Sequence, residues 1–324
     1  MYSSRRFQDS DSLERFLFGP LDHFGSKGLK ILEENTWEQN GTDCVSWTLE
    51  FFDALKLRTP KGLDWLFAQA LQTAKLTDQI WNSVQNRELK REISLFKLQQ
   101  LRLLNTTTWW EGIWEIVTSD QSDIKFICSD HPVTAYNPAF FPLAPNMRHP
   151  NEPSILLRGT RTLIPLSLRS CLILTNLEYA REPGKKMSEL RTNARYFGPP
   201  RLFNIESILR GRALVSEQVA AINFIVKRRA KRYIAAANPD WLYPERVLKT
   251  QHWSKLDSIL LPDKDEVAFH YGGEFFWGND KWMTGADEFG RPFNKTKIEE
   301  AMRSHQRIKE MLQKRRAKEG EQES

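Results

Sequence analysis

The feature that most constrains the fold is a change in the spacing of apolar residues near residue 119. Before this point they recur every three or four positions, as Val45, Leu49 and Phe52 do in "GTDCVSWTLEFFDALKLRTP". After it, short β-prone runs are separated by turn residues, as in "TLIPLSLRSCLILTN". Helices followed by strands are typical of an α+β fold, in which a helical part packs on a small antiparallel sheet.

The strands are predicted on both sides of a proline-rich segment. Residues 136–153 carry five prolines and are expected to be irregular. One strand is predicted at residues 124–128, and a hairpin after the segment is expected to turn at residues 167–170. We expect these strands to pair across the loop, with Phe126, Leu172 and Leu174 facing inward.

The last stretch before the first strand predicts a helix. Trp109, Trp110, Ile113, Trp114 and Val117 fit the spacing of a short buried helix. The helical part therefore extends to residue 118 in this interpretation.

The order of elements predicts one domain with an extension. Residues 1–237 form a single α+β domain, divided into a helical part (1–118), a sheet-forming part (119–212) and a long amphipathic helix (213–237). Residues 238–324 form an α/β C-terminal extension. It contains an aromatic hairpin, "VAFHYGGEFFWGNDKW", and a charged terminal helix.

Composition limits the protein class. With 40% hydrophobic and 27% charged residues, the chain is expected to fold as a globular protein. Three cysteines without CxxC spacing argue against a disulfide framework or a zinc site and suit a reducing compartment. No apolar run is long enough for a membrane span or a signal peptide, so we expect a cytoplasmic protein without a membrane partner.

The acid and histidine in "FICSDHPV" are the first candidate for chemistry. A histidine beside a carboxylate can act as a general base or a metal ligand, but neighbours on a strand point to opposite faces. The favoured interpretation is that Asp130 ties down the turn through backbone amides while Pro132 fixes its exit. If the pair is catalytic, the role is expected to belong to Asp130.

Other catalytic signals are sparse. Glu111 and Glu115 lie four positions apart on the predicted helix and could hold a divalent cation, although such pairs are more often a solvated face. The chain has no GxSxG, no GxxxxGK[ST], no GxGxxG after a strand and no HExxH. A divalent metal is the one cofactor that these residues leave open.

Basic residues give a separate hint. Lys227, Arg228 and Lys231 fall on the polar face of the late helix, and further cations follow near the C-terminus. Clusters of this kind contact phosphates in nucleic-acid-binding proteins, although a helix with one buried face also exposes cations for solubility. The net charge of +6 permits such a partner without requiring it.

Several motifs in this order resemble one family. "LRTP" (residues 57–60) closes an early helix, and it is followed by Trp114, "FICSDHPV", "IPLSLRSCLILT" and "INFIVKRRAKRYIAA". This succession resembles domain of unknown function 4238, a microbial family, over residues 13–237. Asp130 matches the family motif, whereas position 131 is usually Asn, so Asn is expected to be tolerated there. No match to the family's initial HxxPxxxL precedes Leu13.

Three functions from different classes remain open at this point. The first is a nucleic-acid-associated protein, such as a nuclease or toxin of a bacterial conflict system. The second is a non-catalytic interaction module that contacts a protein partner through the C-terminal extension. The third is a small-molecule hydrolase, which only the carboxylates support. Convergence of Asp130 with Glu111 or Glu115 in one cleft would favour the first.

Overall fold

A computed structural model describes most of the chain and confirms the α+β prediction. The described residues are 15, 18–36, 43–73, 87–101, 103, 105–110, 112–176, 186–191, 208–260, 266–271, 274–279, 283–287 and 293–322. Helices come first along the chain, and a small antiparallel sheet follows them.

The helical part consists of four helices and a short fifth one among the described residues. They are α1 (Gly19–Glu34), α2 (Asp43–Arg58), α3 (Pro60–Thr73), α4 (Arg87–Leu101) and α5 (Thr106–Trp110). Helix α2 is the central one, because it packs against α1 and α3 and also reaches α5. Its residues Val45, Leu49 and Phe52 are buried, as their helical spacing predicts.

The sheet is formed by four antiparallel strands. They are β1 (Gly112–Thr118), β3 (Thr134–Tyr136), β4 (Arg161–Pro165) and β5 (Ser170–Asn176), arranged in the order β1-β5-β4-β3. The hairpin between β4 and β5 is confirmed, with the Leu166 amide donating to the Ser170 carbonyl at 3.0 Å. The two middle strands of this sheet are therefore neighbours in sequence.

The sheet is covered on both faces. Leu172 and Leu174 of β5 pack in one cluster with α1 and α2, whereas Cys171 and Ile173 pack in another with the late helix. This division follows from the alternation of side chains along a strand. Phe126 also lies in the second cluster, so the three residues predicted to face inward are all buried.

The prediction of a helix around Trp114 is wrong for the second half of that segment. Trp109 and Trp110 end α5, but Ile113, Trp114 and Val117 lie on strand β1. A strand buried on both faces has a nearly continuous apolar run, which cannot be told from a buried helix by spacing alone.

The strand predicted at residues 124–128 is much shorter in the structure. Only β2 (Cys128–Ser129) is a strand, and it pairs with β6 (Ile234–Ala235) rather than across the proline-rich segment. The preceding backbone is held by other groups: the Phe126 amide donates to the Leu168 carbonyl, and the Ile127 amide donates to the Asn223 side chain. The partner of the hairpin across that segment is instead β3.

The late helix, α6 (Ser216–Arg229), is shorter than predicted and lies at the centre of the second cluster. All residues from Gln218 to Val226 are buried. The helix ends because Ala230 adopts an extended conformation, with φ −57° and ψ 148°. The chain then turns toward β6, so the helix does not continue to Asn238.

The start of the predicted extension joins the core of the domain. Trp253 and the short helix α7 (Leu256–Leu260) lie in the cluster that surrounds α6. The hydroxyl of Tyr136 donates to the carbonyl of Trp253 at 2.9 Å, and the Trp253 indole donates to the carbonyl of Asn137 at 2.9 Å. These bonds connect the residues around Trp253 to the sheet edge at β3.

Beyond the core, the extension contains a β-meander and a long helix. Strands β7 (Glu266–Tyr271), β8 (Glu274–Asn279) and β9 (Met283–Asp287) are antiparallel neighbours, which confirms the predicted hairpin. Helix α8 (Lys295–Gln322) confirms the predicted terminal helix. In the described part of the chain, none of the helices has the length and apolar character needed to cross a membrane.

We predict that Glu115 is structural, because it forms a buried ion pair. Its carboxylate accepts from Nε and Nη2 of Arg212 at 2.8 and 3.1 Å, and Nη1 of Arg212 donates to the Leu260 carbonyl. Glu115→Ala should leave this guanidinium buried without its carboxylate and reduce the free energy of unfolding by about 3–5 kcal/mol. Chemical denaturation provides the measurement.

The control is a more exposed ion pair on the same molecule, with side-chain exposures of 85% for Lys249 and 24% for Glu217. Glu217 contacts Lys249, whose side chain is largely exposed, so Glu217→Ala should cost less than about 1 kcal/mol. Equal losses for the two variants would contradict the structural role of Glu115.

Candidate functional site

A pocket of about 400 Å³ lies between the α2–α3 corner, the turn after β2 and the proline-rich segment. Its lining combines apolar side chains with a small number of buried ionisable groups. The lining residues are Lys56, Leu57, Lys61, Gly62, Trp65, Gln69, Asn105, His131, Asn146, Met147, Pro150, Asn151, Glu152, Pro153, Ser154, Ile155, Leu156 and Leu157. We call it the Lys56/Lys61 pocket.

The α2–α3 corner places both lysines at the pocket. Lys56 lies in the last turn of α2, and Lys61 lies in the first turn of α3. Thr59 joins the two turns, since its hydroxyl contacts the Lys56 carbonyl and accepts from the Gly62 amide at 3.1 Å. A Cβ atom at Gly62 would overlap the backbone of the preceding helix, so this close approach requires glycine.

Asp130 and His131 point in opposite directions, as expected for neighbours on extended backbone. Oδ1 and Oδ2 of Asp130 accept from the backbone amides of Lys231 and Arg232 at 2.9 and 2.8 Å. Asp130 therefore holds the chain where it leaves α6, which agrees with the structural interpretation favoured from the sequence. His131 turns the other way, toward the Lys56/Lys61 pocket.

His131 is buried and has a partner at each ring nitrogen. Its Nε2 lies 3.1 Å from Oε2 of Glu152, and its Nδ1 lies 3.2 Å from the Thr59 hydroxyl. Burial lowers the pKa of His131 to about 4, so the ring is neutral at pH 7. Because a carboxylate can only accept, the proton lies on Nε2, and Nδ1 is an acceptor that shares the one Thr59 hydroxyl proton with the Lys56 carbonyl.

Glu152 is the carboxylate around which the site is built. It forms a largely buried ion pair with Lys56 as well as its contact with His131. These partners hold the pKa of Glu152 well below its usual value, although burial alone would raise it. Nζ of Lys56 also donates to the Val133 carbonyl at 3.2 Å, so the ion pair fixes the end of the proline-rich segment to α2.

Lys61 is the second buried cation of the pocket, with a relative exposure of 5%. Its Nζ donates to the carbonyl of Arg229, the last residue of α6, at 2.9 Å. An ammonium group has three protons to donate, and this is the one hydrogen bond that Nζ makes with the described residues. Burial lowers the pKa of Lys61 to about 8, despite the nearby Glu152.

Arg229 is a third buried cation close to the pocket. Its Nη2 donates to the Phe140 carbonyl at 3.3 Å, and its guanidinium lies 5.2 Å from the centre of a Trp253 ring. Burial lowers the pKa of Arg229 to about 10, and Glu152 counters part of this effect. The side chain thus stays protonated at pH 7.

The buried charges around the pocket are unequal. Among the lining residues, two cations, Lys56 and Lys61, face one carboxylate, that of Glu152, which Arg229 behind the wall also attracts. Buried Asp53 interacts with Lys56 but does not line the pocket. Asp130 also attracts Lys61, but its oxygens are occupied by the two backbone amides described above. The pocket wall therefore carries more positive than negative charge.

Asn105 provides a fixed polar group on another side of the pocket. Its Nδ2 and its backbone amide donate to Oδ1 of Asp53 at 2.7 and 3.1 Å. Burial raises the pKa of Asp53 to about 6, which the hydrogen bonds of Asn105 partly oppose. Since Asp53 orients the Nδ2 end of this amide, the carboxamide oxygen is the end left for other partners.

Of the carboxylates predicted as catalytic, the two that the structure describes, Glu115 and Asp130, have separate partners. Glu115 is held by Arg212, Asp130 is held by the amides after α6, and Glu111 lies outside the described residues. Among the described residues, no group of three metal-ligating side chains could hold a metal ion. Neither Glu115 nor Asp130 lines the Lys56/Lys61 pocket.

The predicted basic face is divided by intramolecular ion pairs. Lys227 binds Glu245 at 3.0 Å, and Lys231, which lies beyond the helix, binds Asp64. Arg228 is exposed. Two of the three predicted phosphate contacts are thus engaged within the chain, and nucleic-acid binding through them stays a prediction.

Sequence reasoning missed Lys56, Lys61 and Glu152. Lys56 and Lys61 flank the quoted "LRTP", and Glu152 lies at the end of the proline-rich segment. The sequence held only indirect signals for them. A long loop within a compact domain, such as the one that carries Glu152, is often functional. A lysine on an otherwise apolar helix, such as Lys56, is expected to be buried with a partner.

The chain matches no family model, no curated protein and no solved structure in the comparisons made. The resemblance to domain of unknown function 4238 stays a prediction that rests on the quoted motifs. Two of those motifs meet at the pocket, because Thr59 of "LRTP" contacts His131 of "FICSDHPV" across 72 residues of sequence.

We predict that Asp130→Asn destabilises the protein. An amide side chain has one acceptor oxygen, so the amide of Lys231 or Arg232 would lose its partner. The expected loss is about 1–3 kcal/mol in the free energy of unfolding, measured by chemical denaturation. Asp123→Asn is the control, because Asp123 is exposed, and its change should stay within about 0.5 kcal/mol. A similar loss in both variants would count against this role.

A second prediction concerns pH and His131, which is buried. Tolerance of Asn at this position stays a prediction from the family resemblance. The pKa of His131 is lowered to about 4 from an ordinary value of 6.5, so the unfolded chain binds more protons between these pH values. Stability from this residue is present above pH 6.5 and is lost as the pH falls toward 4, with a slope of at most about 1.4 kcal/mol per pH unit.

The measurement is the free energy of unfolding against pH for three proteins. His131→Asn should remove this slope, so its difference from the wild type should grow with pH across the window. Exposed His252 provides the matched variant, and His252→Asn should keep the wild-type slope. Parallel curves for the wild type and His131→Asn would contradict the buried, neutral imidazole.

Proposed function

We propose that the protein binds a small organic anion in the Lys56/Lys61 pocket. The observation that supports this most directly is the excess of buried positive charge described above. A buried cation without a matching anion is costly in free energy. A carboxylate or phosphate group of a ligand would supply the missing negative charge, and Nζ of Lys61 has donors left for it.

The rest of the lining indicates what else the ligand carries. Trp65, Met147 and Ile155 contribute apolar surface beside the charged groups. A volume of about 400 Å³ lies within the range of small-molecule pockets. These features favour a ligand with one anionic group at the lysines and an apolar body along the proline-rich segment.

The neutral state of His131 supports the same ligand class. A protonated imidazole would add a further buried cation, whereas the neutral ring holds Glu152 in place as a hydrogen-bond donor. Glu152 in turn holds Lys56. The His131–Glu152–Lys56 chain therefore positions an ammonium group at the pocket without neutralising Lys61.

Other expectations from the sequence stay proposals beside this one. They are membership of the domain of unknown function 4238 family, residence in the cytoplasm, a protein partner at the C-terminal extension and nucleic-acid binding through Arg228 with its neighbours. The pocket argument depends on none of them. It requires only the buried groups described above.

Calorimetric titration with three probes that share a phenyl ring and differ in their polar group tests the proposal. We expect phenyl phosphate and benzoate to bind and to raise the melting temperature, whereas benzyl alcohol, which has no charge, should bind at least about tenfold more weakly. Inorganic phosphate tests whether the anion alone is enough. Equal affinity for benzyl alcohol, or no binding of either anion at about 10 mM, would overturn the proposal.

Variants of two lysines make the test specific to the site. Lys61→Gln should weaken the binding of phenyl phosphate by about tenfold or more, because the ligand would lose a buried charged partner. Lys249→Gln is the matched control, since its side chain is largely exposed, and it should leave the affinity unchanged. Loss of binding in both variants would contradict a role for the pocket.

The pH dependence of binding gives an independent prediction. The pKa of Lys61 is about 8 in the free protein, and a bound anion should raise it. Binding then takes up a proton above pH 8, so affinity should be highest near neutral pH and fall by up to about tenfold per pH unit above the free pKa. In Lys61→Gln this fall should disappear, and its persistence there would assign the titration to another group.

A further inference from the structure

The position of Lys61 is unfavourable for a lysine in three separate ways. The residue is buried, it lies near Arg229 and Lys56, and it belongs to the first turn of α3, where the helix dipole disfavours a cation. Its hydrogen bond to the Arg229 carbonyl helps to end α6, but that bond uses one of three protons. A structural role alone accounts for only part of this arrangement.

These same features make an amine reactive. A lysine that is desolvated and placed beside other cations keeps a larger share of its neutral, nucleophilic form. The pKa of Lys61, about 8, agrees with this, and at pH 7.5 the neutral share exceeds that of an ordinary lysine by about two-hundredfold. Lys61 also lines a pocket that can hold a small molecule against it.

We infer that Lys61 forms an imine with an oxo acid bound in the pocket. This inference rests on the proposed function, and it narrows the ligand class to anions that also carry an aldehyde or ketone group. Lys56 lines the same pocket and supplies positive charge for the ligand's carboxylate. Nζ of Lys61 is then the group that meets the carbonyl carbon.

The step balances without an oxidant or a reductant. The neutral amine of Lys61 attacks the carbonyl carbon, a C–N bond forms, and the carbonyl π electrons move to oxygen. Two protons from nitrogen leave on that oxygen as water when the C–O bond breaks. The neutral amine and the ketone thus become a neutral imine and one water molecule. The proton that the ammonium group released before the attack can return to the imine nitrogen, so that the overall charge is unchanged.

The test uses the full chain, phenylpyruvate as the oxo acid and cyanoborohydride to reduce any imine. Mass analysis of the intact protein and of its peptides then locates the adduct. We expect labelling of Lys61 at least about tenfold faster than that of any exposed lysine, such as Lys249. In Lys61→Arg, which keeps the positive charge, labelling at this position should be lost, whereas Lys249→Arg should be labelled like the wild type.

Binding of 3-phenylpropanoate, which has the same body and carboxylate without the oxo group, separates the two proposals. The wild type should bind it, and Lys249→Arg, which changes a residue outside the pocket, should bind it within about threefold of the wild type. If the wild type binds 3-phenylpropanoate but phenylpyruvate labels exposed lysines as fast as Lys61, the imine inference is overturned and the anion pocket stands. If the wild type binds neither acid, both proposals are wrong.

Discussion

The carboxylate of Glu152 is the group on which the pocket depends. It accepts from Nε2 of His131 and pairs with Lys56, and these partners come from the turn after β2 and from the end of α2. Three separate parts of the chain thus meet at one buried charge. Without Glu152, Lys56 would be buried without its ion-pair partner, and the end of the proline-rich segment would lose an attachment to the helical part.

Glu152 also attracts Lys61 and Arg229. Because several cations share this carboxylate, the site keeps a surplus of positive charge. Natural proteins retain such costly groups chiefly where a ligand or a reaction requires them. Two buried ion pairs elsewhere differ in this respect, since Glu115 is matched by Arg212 and Asp257 by Arg161. Asp64, which is shared by Lys90 and Lys231, is more exposed and lies outside the pocket lining.

Local patterns predicted much of the fold. The β4–β5 hairpin and α6 were predicted because alternation and helical spacing are properties of short segments. Strand β1 was not, because burial on both faces removes the alternation. The pocket was beyond local patterns: Lys56 and Glu152 are separated by 96 positions, and no spacing rule joins them. Strand geometry did predict that Asp130 and His131 diverge, but it could not show that His131 is the one at the pocket.

The central claim is that Lys61 is a buried cation that binds the anionic group of a ligand. The titration of the Lys61 side chain tests this claim most directly. Lysine side-chain NMR, assigned with Lys61→Arg, reports the pKa of this amine in the free protein and with saturating phenyl phosphate. The account predicts a pKa of about 8 in the free protein and a clear rise on binding. A pKa near the ordinary value of 10.5 in the free protein, unchanged by the ligand, would contradict it.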